Sequence, residues 1–280
     1  MVTGLRMNKR YENLGEKWFA LLDNPEKDAF ALMPRVIQEG GTRETWSVKN
    51  DTSETVLMAW PADTPLRAGL ILRGKLGGHL DPVSMLPLLE GLPHDMTVEE
   101  VHPWSNGVVA YVGACRNEGA MPLFFCNPLY FRDERALSTP GVRHTFLLAG
   151  MAYGVRRALL DEMTITEGPS YEAHAKAWLE AHPGKTRIDV PQMKINLRGK
   201  AVFMPGDMPG NYQLRAPLAS VEEIEFDGRK VYMLSALLGT ETPNPITLLL
   251  YASAKICQNY VPKEGDEIDA LLWLQGRLLD

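Results

Sequence analysis

The chain has 280 residues, with 29 Lys and Arg against 35 Asp and Glu, a formal charge of −6. Its 45 % hydrophobic and 23 % charged residues exclude a disordered or fibrous chain and allow one large domain or two modest ones. Three scattered cysteines, Cys115, Cys126 and Cys257, exclude a disulfide framework and fit a reducing, cytoplasmic setting.

Residues 8–40 read as helical. Tyr11, Leu14, Trp18, Leu21 and Leu22 share one face at 3.6-residue spacing, Asn24-Pro25 offers a cap and first position, and Gly40-Gly41 is the stop. Pro34 predicts a kink or break. From Thr42 the period shifts towards two. Thr45–Val48 and Thr55–Trp60 flank a turn at Asn50-Asp51, and further strands are expected at 68–72, 98–102, 108–114 and 123–131. A helix is predicted from Thr139-Pro140 through Leu148, Met151, Ala152, Val155 and Leu159, with Gly150 and Gly154 open to close approach. A second helix runs from Ser170 to His182-Pro183-Gly184. Strands return from Met193 onward.

Part of the first strand series recurs. Val98-Glu99-Glu100-Val101, Asn106-Gly107 and an apolar strand reappear as Val221-Glu222-Glu223-Ile224, Asp227-Gly228 and Val231–Leu234. Pro122–Phe131 stands to Ile246–Tyr251, and Arg73-Gly74-Lys75 to Arg198-Gly199-Lys200, at nearly the same offset. This suggests internal duplication. The expected fold class is α+β: a helical N-terminal segment (1–41), a first antiparallel β module with two helices (42–184) and a second small β module (185–280).

In that last third, strands at 193–203, 212–226, 230–238 and 246–251, a short helix through Cys257 and a final strand at 268–278 follow one another. That order resembles the OB-fold, a five-stranded Greek-key barrel with a helix between its third and fourth strands. The resemblance implies a binding role for oligonucleotides or oligosaccharides, and Trp273 with Arg277 on the outer face of the final strand is the matching candidate surface. Packing against another domain or a subunit explains the same apolar face. Lys194, Arg198 and Lys200 alternate on one strand face, where phosphate contacts would add.

Catalytic patterns are sparse. His79, Asp81, His94 and Asp95 are two imidazoles and two carboxylates of the kind that hold zinc, manganese or iron, although the spacing matches no established metal motif. Cys126 and His144 form a nucleophile–base pair only if the fold joins them, and the aromatic run around Cys126 predicts burial. The glycines at 74, 77 and 78 fit neither phosphate-loop pattern. The favoured expectation is therefore a non-catalytic cytoplasmic binding or scaffold protein, acting through β surfaces on a protein partner or a second copy, with no cofactor. A metal-dependent hydrolase using the His79 group and single-stranded nucleic-acid binding are the alternatives. No run of 18 apolar residues and no apolar leader occurs, so no membrane role is expected.

Overall fold

Asn24 opens the first α-helix as its composition requires: the side-chain oxygen accepts the Lys27 N–H, and Pro25 occupies the first helical position. This helix, α1 (Pro25–Glu39), continues through Pro34, and Ala29, Leu32 and Val36 turn inward onto a sheet. The computed structural model describes residues 15–40, 42–47, 52–117, 122–238 and 246–279, so the Asn50-Asp51 turn lies outside the described residues. Among the described residues, a 3-10 turn, Gly15–Ala20, is the one element before α1. Both pieces are part of the packing of a β layer, and the expectation of a helical N-terminal segment is corrected accordingly.

That layer is an antiparallel meander of β1 (Thr42–Ser47), β2 (Ser53–Trp60), β3 (Leu66–Lys75) and β4 (Leu80–Leu89). Its inner face carries Leu57, Ala59, Leu66, Ala68, Leu70 and Leu86, which share a core with Trp18, Leu21 and Leu22.

The rest of the chain builds one mixed sheet of nine strands. Its first half runs β5 (Leu92–Pro103), β6 (Ala110–Cys115), β7 (Leu123–Asn127), α2 (Tyr130–Leu137) and β8 (Arg143–Arg157). Next comes an excursion: β9 (Glu162–Ile165), α3 (Pro169–Ala181) and β10 (Met193–Asn196), with β9 and β10 paired to each other. After β11 (Val202–Pro205), the second half repeats the order of the first: β12 (Asn211–Phe226), β13 (Arg229–Leu238), β14 (Ile246–Ser253), α4 (Ala254–Cys257) and β15 (Glu267–Leu278).

Two closed rings of strands result, and they share a wall. β8 and β15 form a long antiparallel ribbon from Phe146↔Leu278 to Arg157↔Ile268. On the outer edge of β8, residues 143–148 pair with β5 and residues 149–151 pair in parallel with β14. On the outer edge of β15, residues 267–273 pair with β12, and Gln275 pairs in parallel with Cys126 of β7. One ring is β5-β6-β7-β15-β8, the other β12-β13-β14-β8-β15. Each half thus borrows the last strand of the other. Tyr212 adds a tie, its hydroxyl accepting the Phe124 N–H at 2.7 Å and donating to the Phe124 carbonyl at 2.9 Å.

The ribbon separates two cores. Phe146, Leu148, Ala152, Ile268, Leu272 and Leu274 face the ring interiors, while Ala149, Met151 and Trp273 face the four-stranded layer. Gln275 joins the layers: its side-chain oxygen accepts the Leu89 N–H at 2.9 Å and its amide donates to the Pro87 carbonyl at 2.8 Å.

The α+β expectation is overturned by this architecture, which is 52 % strand and 19 % helix. The predicted helix over 139–159 is a strand instead. Its alternate residues are buried on both faces, so the run reads as continuously apolar and hides its period of two. The last third is likewise no self-contained barrel of the kind the OB-fold resemblance implied. The strand expected at 193–203 is two, β10 in the excursion and β11 in the large sheet; the later strands come in the anticipated order, but β8 from the other half completes the ring.

Candidate functional site

Where the ribbon passes from one ring to the other, its inward side chains Leu148 and Leu274 line a cavity of about 370 Å³. The first ring contributes His94 and Met96 from β5, Ala114 at the end of β6, Arg116 just beyond it, and Leu123 from β7. The second contributes Leu238, Ile246 and Leu248, and Ala201 and Phe203 close the side at β11. Phe203 is itself stacked on Tyr212 at 4.4 Å between ring centroids.

The polar pair has a simple origin. His94, Met96 and Val98 alternate inward along β5, so an imidazole stands in an apolar row and is only 8 % exposed. Nε2 of the ring has no partner among the described residues. Burial, reinforced by the Arg116 charge, holds the imidazole pKa below its ordinary value, so the ring favours its neutral form. Arg116 follows Val112 and Ala114 at the same parity but lies at the exposed end of the row. No ion pair of Arg116 occurs among the described residues. Among the described residues, the lining carries no carboxylate, thiol or hydroxyl side chain.

The residues singled out in the sequence fall in different places. His79 and Asp81 pair with each other at 3.2 Å at the exposed start of β4, with side chains 87 % and 73 % accessible. His94 is in the cavity, whereas Asp95 points outward and accepts the Thr145 hydroxyl at 2.6 Å. No group of three or more His, Cys, Asp or Glu is placed to hold a metal among the described residues, so these four are not assembled.

Trp273 is fully buried against the four-stranded layer, with the Lys17 ammonium 5.3 Å from its ring centroid. It offers no stacking platform to solvent. Arg277 is on the same strand in a partly buried position. Lys194 and Arg198 are matched by acids on the paired excursion, to Glu162 at 2.7 Å and Asp161 at 2.5 Å, which offsets their charge locally. Lys200 follows in the adjoining turn. Cys126 is buried beside the Lys17 and Trp273 cluster, and desolvation raises its thiol pKa strongly, the reverse of an activated nucleophile. His144 is in the next-but-one strand of the first ring, with no hydrogen bond to Cys126.

Sequence reading found His94 but grouped it with His79, Asp81 and Asp95 as a candidate metal ligand. The available signal was the alternation Leu92, His94, Met96, Val98, which extends the strand predicted at 98–102 back to its true start. Arg116 and the apolar walls were missed, because they come from segments spread between residues 94 and 274. No family model matches the chain, and no curated protein or solved structure shows significant similarity to it.

Proposed function

We propose that this chain is a non-catalytic binding protein whose ligand, a small and largely apolar molecule, occupies the cavity at the junction of the two rings. The observation that carries this reading is the lining: among the described residues, ten apolar side chains with two convergent polar groups, His94 and Arg116, in a volume typical of small-molecule sites. The described lining residues include no carboxylate, thiol or hydroxyl, which favours holding a ligand over transforming it. The matched order of the two halves supports the accompanying reading that the chain arose by duplication, which would put the site where the copies meet.

The neutral fluorophore N-phenyl-1-naphthylamine provides the test. It should bind at one site per chain with enhanced emission. Ala201→Phe, a substitution on a partly exposed wall, should weaken it about tenfold or more by filling the site. Absence of binding, or equal binding by the folded variant, would defeat the reading.

A further inference from the structure

We infer that the cavity selects amphipathic carboxylates, an apolar chain lying against Leu148, Leu248 and Leu274 with its carboxyl head set between Arg116 and His94. This inference rests on the binding function proposed above and adds the chemistry of the head group.

Three observations converge on it. The first is charge. Arg116 is the one charged residue among the described residues of the lining, has no ion pair among them and stands where the inward row of β6 reaches solvent. A guanidinium with unused parallel N–H donors matches a carboxylate in charge and shape. The second is the imidazole. His94 is more than nine-tenths buried, lines the same cavity, and keeps Nε2 without a partner, an arrangement that costs free energy until something meets it.

The third is geometry. β5 and β6 are paired neighbours, with Thr97 opposite Cys115, so His94 and Arg116 enter the cavity from the same wall. A carboxyl head answers both needs at once. One oxygen accepts from Arg116, and the other faces Nε2 across a single shared proton. The shared proton is taken up from solvent on binding, and no bond between heavy atoms forms or breaks.

A neutral alcohol of the same length would fill the same apolar walls and hydrogen-bond to Nε2. It would leave Arg116 unmatched. A cation would be repelled by Arg116. The head group is therefore where selectivity is decided, while the walls contribute general apolar affinity.

Decanoate and decanol, used below the micelle concentration of decanoate, separate these contributions by isothermal calorimetry on the full chain. Decanoate should bind more tightly than decanol by about 10- to 100-fold, the range for a hydrogen bond to a charged group. Arg116→Gln, at an exposed position, should fold normally and erase most of that preference. His94 should report directly: decanoate, and not decanol, should move its imidazole carbon-bound proton resonances towards those of the protonated ring.

Equal affinity for acid and alcohol, no decanoate binding, or a preference unchanged in Arg116→Gln would each overturn the inference. If N-phenyl-1-naphthylamine binds and acid and alcohol are not distinguished, only the head-group chemistry falls. If the fluorophore fails as well, the cavity reading falls with it.

Discussion

His94 occupies a row that Met96 and Val98 fill with apolar side chains, and the consequence is a titratable group inside the protein. Among the described groups, Arg116 acts on it through its charge from beyond the end of β6, Phe146 is its register partner on β8, His144 lies two residues along β8 opposite Met96, and Asp95 on its own strand points outward. Burial and Arg116 both disfavour the charged ring, so the folded-state pKa is below the ordinary value of 6.5. The unfolded chain then takes up the proton more readily than the folded one. The stability contributed by neutral His94 is complete above pH 6.5 and is lost as pH falls through the folded value. Thermal denaturation should accordingly show a larger drop in Tm for the native protein than for His94→Phe between pH 7.5 and pH 5. Equal drops would contradict a buried neutral imidazole.

At the scale of elements, the β8–β15 ribbon differs from every other pair. Its central part has neighbours on both edges and side chains buried on both faces. The β9–α3–β10 excursion is the opposite case, with Ala175 the buried residue of α3 and Ile188 almost wholly exposed beyond it. Amide exchange should therefore be slowest at Leu147–Met151 and Leu272–Gln275 and much faster through 162–196. Comparable protection of the excursion, followed by mass spectrometry, would refute this ranking. The same features decide what was legible beforehand. The second-half strands were readable because Asp227-Gly228 and Gly265-Asp266 punctuate them and Ile268, Ala270, Leu272 and Leu274 alternate cleanly. β8 was not, because Leu147, Ala149 and Met151 are as buried or nearly as buried as their inward neighbours and are good helix formers besides. β4 was hidden by Pro82 and Pro87, which it accommodates as the edge strand of its sheet. Of the repeated words, Val98-Glu99-Glu100 and its counterpart lie on corresponding strands. Arg73-Gly74-Lys75 lies in β3 while Arg198-Gly199-Lys200 is in a turn, so that match has no structural counterpart.

Over the whole molecule, exchange of last strands between the halves has two effects. It binds the rings into one sheet, and it brings their inward rows together beside Leu148 and Leu274. A site built this way draws its wall from both halves, which is why neither the composition nor any local motif announced it. Trp273, the most conspicuous candidate in the sequence, belongs to the opposite face of the ribbon and serves the contact with the four-stranded layer. The position of the ligand is the claim on which the account depends. Methyl-resolved NMR of the full chain titrated with decanoate measures it directly. The account predicts concerted shifts of the Leu123, Leu148, Leu248 and Leu274 methyls, with those of Leu57 and Leu70 in the four-stranded layer unmoved. Shifts confined to the exposed Leu159, Leu160 or Ile188, with the cavity leucines silent, would contradict it.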